Sequence, residues 1–452
     1  MARHPYQVLS PTAILGYGFP EDSFRNGMDK KPDLIAVDAG STDPGPYYLG
    51  SGKSFTNRLA VKRDLSFMLR AAVEASIPLI IGTAGGSGAR PHVEWTLEII
   101  EELARENGIS FRMAVIHADI PQADVLDALA RGRLRPLPPA HQITPGEIRS
   151  STRIVAQMGA EPVIRALSLG CRIIVCGRCY DPVPFAAPPL LEGFDPGPAY
   201  HMGKILECAA IAATPGSGRD CVMGLLYEDC FELESLNAQR RFTRISTAAH
   251  TLYEKSDPYS LPGPGGMLDL RNTRFVALEN GRVRVSGSRF IPAPTYSVKL
   301  EGVKPVGFRT ISIAGIRDPV LIGQIEPVLD SIRTEVEQGF GGAGRLLFHR
   351  YGQNAVMGAL EPEKNVKPHE VGLVIEAVAP DQEQANALCA YARSTLLHYG
   401  YPKRISTAGN LALLYSPSDI SCGEVFEFNI YHLMETDDPS TPFPIEVREV
   451  GR

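Results

Sequence analysis

Short, nearly continuous apolar runs alternate along the first half of the chain with segments of helical spacing. "PDLIAVD" (32–38) reads as a buried strand whose polar exit holds Asp38, Gly40, Ser41, Thr42 and Asp43. "VKRDLSFMLRAAVEAS" (61–76) then puts Leu65, Met68, Leu69 and Val73 on one helical face. "IPLIIGTAGGSG" (77–88) is a second strand, 91–107 a helix, "RMAVIHADI" (112–120) a third strand and "CRIIVCGRCYDP" (171–182) a fourth. Between the last two, residues 145–170 read as helical at both ends with a break near Gly159 and Pro162. Such alternation predicts an α/β fold, a parallel doubly wound sheet with helices on both faces. Ligands then lie beyond the carboxyl ends of the strands.

The second half reads differently. Two strand-like runs flank "ENGR" (279–282), a hairpin signal. From about residue 300 the order is strand, helix, strand, strand, helix, strand, which predicts a C-terminal ferredoxin-like α+β domain. The expected division is an α/β domain at 1–297 carrying the site, the ferredoxin-like domain at 298–436, and a loosely packed tail at 437–452.

A chain of 452 residues exceeds one core, in keeping with that division. Its net charge of -6 carries no electrostatic footprint for nucleic acid or an anionic membrane. No apolar run reaches the roughly 18 residues of a membrane span. The N-terminus lacks the pattern of a secretory signal, so a cytoplasmic location is expected. Eight scattered cysteines, several inside apolar runs, read as reduced thiols.

Candidate chemistry gathers at the strand exits. In "GTAGGSGAR" (82–90), Gly85, Gly86 and Gly88 allow close backbone approach, and the following helix end suits a negative group. Thr83 and Ser87 add hydroxyls; a merely tight turn explains the same glycines. Neither a Walker loop nor a dinucleotide fingerprint is present, so no cofactor is required by the sequence. Asp38 can act as a general base, with Ser41, Thr42 and Asp43 as polar contacts, or these residues can cap turns. A divalent metal held by Asp38, Asp43 and Asp181 is an open option. Cys176 and Cys179 form an isolated C-x-x-C without zinc-finger partners, and Arg178 and Asp181 leave the same strand end as candidates for substrate contacts. On the apolar helix "PAYHMGKILECAA", His201, Lys204 and Cys208 share a stripe and Glu207 lies off it, so His201 or Lys204 is a candidate proton carrier or anion clamp. His250, Tyr253 and Glu254 stand at helical spacing, with His250 a further catalytic candidate and Tyr253 a substrate contact.

"IAVDAGSTDPGP", "IIGTAGGSGA", "IVAQMGAEPVIRAL", "IIVCGRCYDPVPFAA", "KILECAA" and "AAHTLYEKSDPYSLPGPGGMLDL" together resemble the acyclic terpene utilisation protein family, over roughly residues 30–430. The resemblance implies a setting in the acyl-CoA degradation of branched terpenoids, a small ferredoxin-like companion chain, and a homo- or hetero-oligomer. It assigns no catalytic residue. With the strand-exit residues it leads to an enzyme acting on a small anionic metabolite. The expected reaction is that of a hydro-lyase or double-bond isomerase on a carboxylic acid or its CoA thioester. The alternative is a non-catalytic binding or scaffold subunit that senses an acid metabolite.

Overall fold

The computed structural model describes residues 4–253, 257–342, 344–405 and 408–451. They form two compact units, Met1–Lys304 with Phe428–Arg452, and Pro305–Glu427. The architecture is mixed α/β. No helix among the described residues is long and apolar enough to cross a membrane.

In the first unit the chain forms strands β1 (Tyr6–Ser10), β2 (Leu34–Asp38), β3 (Leu79–Gly82), β4 (Phe111–Ile116), β5 (Arg153–Gln157), β6 (Ile173–Cys176), β7 (Val222–Leu226), β8 (Cys230–Ser235), β9 (Arg274–Ala277) and β10 (Val283–Ser286). To these it adds the start of β11 (Ser297–Ile316), and β12 (Ile445–Val450). Its principal helices are α1 (Arg58–Ala75), α2 (Arg90–Asn107), α3 (Val183–Leu191) and α4 (Pro196–Leu206). One ten-stranded sheet has the order β9-β10-β8-β7-β1-β2-β3-β6-β4-β12. The strands β1, β2, β3, β6 and β4 run parallel, and antiparallel strands flank them on each side.

Strand side chains alternate between two cores, as the two-residue period of a strand requires. Ile35, Val37, Leu79, Ile81, Val115 and Val175 meet Leu65 and Met68 of α1 and Leu97 and Ile100 of α2. Leu34, Ala36, Ile80, Ala114 and Ile174 meet Phe185 of α3 and Met202 and Leu206 of α4. The continuous apolar runs are therefore strands buried on both faces.

Three expectations need correction. Residues 145–170 are helical at both ends as read, at Pro145–Ser150 and Glu161–Ser168, but the stretch between holds β5, which pairs antiparallel with the start of β11 between Gln157–Lys299 and Arg153–Val303. A strand whose partner lies so far along the chain leaves little local signal. The last residues are no loose tail, since β12 pairs with β4 from Ile445–Ile116 to Val450–Phe111 and gives the sheet its last strand. Finally, the residues around 298 begin β11 inside the first unit, and the second unit starts at Pro305.

In the second unit, residues 308–316 of β11 pair antiparallel with Val371–Ala379, which in turn pairs with Arg345–Tyr351. Ala412–Leu413 joins β11 on its other side. The helices Ile325–Phe340 and Gln382–His398 cover this sheet through Val328, Leu329, Ile332, Leu388 and Ala392. The "ENGR" turn joins β9 to β10 as read.

Candidate functional site

Register places Asp38 of β2 opposite Gly82 of β3, while Ala84 N–H donates to Cys176 O at the end of β6. The polar exits of three parallel strands thus meet at one sheet edge. Arg178, 2% exposed, is the hub. Its Nε donates to Glu301 at 2.7 Å, and its Nη1 to Cys179 O at 2.8 Å, Asp181 at 3.3 Å and Thr83 Oγ1 at 3.4 Å. Lys204 Nζ, from α4, bridges Asp181 at 3.1 Å and Glu207 at 2.8 Å. Lys299 Nζ reaches the second oxygen of Glu301 at 2.7 Å. The buried network therefore holds three cations, Arg178, Lys204 and Lys299, against three paired carboxylates, Asp181, Glu207 and Glu301.

Asp38 is the carboxyl beyond that balance. It is 3% exposed, and its Oδ1 has no hydrogen-bond partner. Burial pushes its pKa well above the ordinary value, Asp181 and Glu207 push the same way, and Arg178 opposes them without prevailing. Glu207 is also raised, by burial against the pull of Lys204. Asp181 shows the opposite result, because Lys204 and Arg178 together overcome its burial and hold it below the carboxylate range. Likewise burial pushes Glu301 up, yet Arg178 and Lys299 hold it down at about 2. The edge thus carries two carboxyls that favour the proton beside two that reject it, the separation acid–base chemistry uses.

Of the sequence candidates, Asp38, Thr83, Arg178, Asp181 and Lys204 lie together at this edge. The glycine corner is not the open anion rim the sequence suggested. Gly85, Gly86, Ser87 and Gly88 are buried, and the three glycines have φ of +66°, +108° and +69°. A Cβ on Gly85 would lie 2.4 Å from His92 O, one on Gly86 2.8 Å from the Phe55 ring, and one on Gly88 2.3 Å from Arg178 N. Gly85 and Gly88 permit contact between backbones, Gly86 permits contact with the Phe55 ring, and the Gly88 contact seats Arg178. The α2 N-terminus already has its negative charge. Arg90 N–H donates to both oxygens of Asp119 at 2.9 and 3.1 Å, Pro91 has no N–H, and His92 and Val93 N–H donate to Ala89 O.

The other candidates fall elsewhere. Ser41 Oγ donates to Asp43 at 2.7 Å and accepts from Asp43 N–H at 3.1 Å, which closes a surface turn, and Thr42 is buried within it. Asp43 is exposed and Asp181 is engaged by cations, so the acidic trio offered for a metal is not assembled. Among the described residues no group of three or more His, Cys, Asp or Glu could hold a metal ion. His201 is buried and bonds Ser288 and Thr251, outside the network. The His250 ring stacks on half-exposed Tyr253 at 5.3 Å, and Glu254 lies outside the described residues. The sequence reading missed Glu207, Lys299 and Glu301. Their available signals were the three-residue spacing from Lys204 to Glu207 and the charged pair two residues apart in an otherwise apolar strand start, "SVKLEGV".

A family model described as "Acyclic terpene utilisation family protein AtuA" matches residues 54–217 and 237–406. Arg178, Asp181, Lys204, Glu207 and Glu301 lie within the matched residues and Asp38 precedes them. No curated protein and no solved structure matches the chain.

Proposed function

The chain belongs to the acyclic terpene utilisation family, and from that premise we propose that it is an acid–base enzyme of carboxylic-acid or acyl-CoA catabolism. Its reaction is hydration, dehydration or double-bond migration on a small carboxylic acid or its CoA thioester. The observation that carries this reading is Asp38, a buried carboxyl with an unpartnered oxygen and a raised pKa beside a cationic hub. Ionised Asp38 takes the proton α to the substrate carbonyl. The developing negative charge is held by the field of Arg178 and Lys204. In a dehydration, protonated Glu207 gives its proton to the departing hydroxyl and water leaves; in an isomerisation, Asp38 returns its proton at another carbon.

The Phe55 ring lies against Gly40 and Gly86, beside the exit that holds Asp38. The five parallel strands with a core on each face support the doubly wound reading. The strand order of the second unit supports a ferredoxin-like reading. A small ferredoxin-like companion chain, an oligomer and a cytoplasmic setting belong to the same proposal. The burial of Asp38, Arg178, Glu207 and Glu301 favours the rival, a non-catalytic binding or scaffold subunit, because a structural network needs no path to solvent.

Short di- and tricarboxylic acids and their CoA thioesters, incubated in deuterated water with the protein, separate the two. Wild type should exchange the α proton and change the absorbance of a conjugated double bond. Asp38→Asn should lose about 100- to 10,000-fold of that rate, the usual contribution of a positioned base. Full exchange in Asp38→Asn, or none in wild type across the panel, refutes the proposal.

A further inference from the structure

We propose that Ser288 and His201 form a second site, a serine nucleophile with its base, that cleaves small carboxylic esters or thioesters. Ser288 Oγ lies 2.6 Å from His201 Nδ1, and Nε2 of the same ring lies 3.1 Å from Thr251 Oγ1. The single hydroxyl proton of Thr251 is donated to Thr247 O at 2.9 Å, so Thr251 accepts from the ring. The tautomer that fits these two contacts has the proton on Nε2, facing Thr251, and Nδ1 accepting from Ser288. That is the polarity hydroxyl activation requires, with the base oriented by a third group.

The surroundings hold this geometry. His201 is 1% exposed and meets Phe231 and Phe275 edge-on at 5.2 and 6.4 Å between ring centres. Ser288 follows Gly287, whose φ is +85° and where a Cβ would lie 2.2 Å from Asn272 O, so the serine is presented from a turn that only glycine fits. Ser288 also lines a cleft of about 490 Å³ whose wall includes the carboxylates Asp195 and Asp229 and the donors Asn272, Arg274 and Arg289. Those donors suit a carbonyl oxygen that becomes anionic.

As Oγ bonds to the acyl carbonyl carbon, its proton passes to Nδ1. Collapse of the tetrahedral intermediate breaks the bond to the alcohol or thiol, which leaves with the proton from Nδ1. Water, deprotonated by the same nitrogen, then releases the acid and restores Ser288.

The test is labelling of the full chain with a fluorophosphonate, located by peptide mass spectrometry, together with hydrolysis of p-nitrophenyl acetate. Ser288 should carry the label, and Ser288→Ala should abolish both signals without a change in melting temperature. His201→Gln should slow labelling at least about 100-fold and remove its dependence on pH. A folded wild type that is unlabelled at Ser288, or labelling that is equally fast in His201→Gln, overturns the proposal. The wild-type and His201→Gln arms decide it even where Ser288→Ala does not fold.

Discussion

Arg178→Met tests the charge network most directly. The substitution keeps an unbranched, flexible stem and removes the donor to Glu301, Asp181 and Cys179 O. Breaking a buried pair from one side costs about 3–5 kcal/mol, because the other charge stays buried. Glu301 keeps Lys299 at 2.7 Å, and Asp181 keeps Lys204 at 3.1 Å, which places the loss near the lower end of that range. For a unit of this size the melting temperature should fall by roughly 6–7 °C, at about 2 °C per kcal/mol.

Glu301→Gln alone should cost about 1–3 kcal/mol. The double variant should be less destabilised than the sum, by a coupling of about 1–3 kcal/mol, since neither charge is then stranded. Acid should shrink the loss in Arg178→Met. Glu301 is depressed to about 2 in the wild type, so its contribution is fully present above the ordinary carboxyl pKa and is lost progressively as pH falls from there towards about 2. Without Arg178 the buried carboxyl takes a proton at higher pH and the penalty is relieved earlier. Urea unfolding of the four proteins between pH 4 and 8 measures both effects. Additivity within about 0.5 kcal/mol would refute the network.

Asp38→Asn should also change the dependence of stability on pH. A raised carboxyl binds its proton more tightly in the folded state, so its contribution is greatest below the ordinary value of about 3.9 and is lost as pH climbs through the raised one. Asn does not titrate, so the variant should gain on wild type as pH rises across that window; parallel unfolding curves for the two proteins would contradict the assignment. Gly88→Ala should destabilise by about 2–5 kcal/mol, from strain at φ +69° and the approach to Arg178 N. Thermal melting with less than about 0.5 kcal/mol of loss would show that the corner is not tightly packed.

Asp38, Thr83, Arg178 and Asp181 were legible because strand exits in a parallel sheet converge by topology, and an exit can be read from a dozen residues. Glu301 was not, since it meets Arg178 from 123 residues away through the pairing of β11 with β5. Glu207 was passed over because a helical wheel puts it off the stripe of His201 and Lys204; a glutamate is long enough to reach Lys204 three residues back. The same wheel joined His201 to Lys204, but the two side chains diverge, one to Ser288 and one to Asp181. Glycines 85, 86 and 88 announced positive φ correctly. Whether that freedom served a ligand or packing depended on Phe55 and on Asp119, the latter 29 residues beyond Arg90.

The network also bears on why Asp38 is an aspartate. With Asp38 set aside, its three cations answer three carboxylates, and every charge has a partner within 3.3 Å. Such a network needs no further acid to be stable. An asparagine at position 38 would have similar shape and no charge to bury, so on stability alone the aspartate is the inferior choice. A titratable group held where its ionised form is disfavoured, at the exits of parallel strands, is the kind of local conflict that sites of proton transfer display. The charge arithmetic thus sets Asp38 apart: the paired residues hold the edge together and supply its field and a second proton at Glu207, and the carboxyl outside the ion pairs is the one placed to act as base.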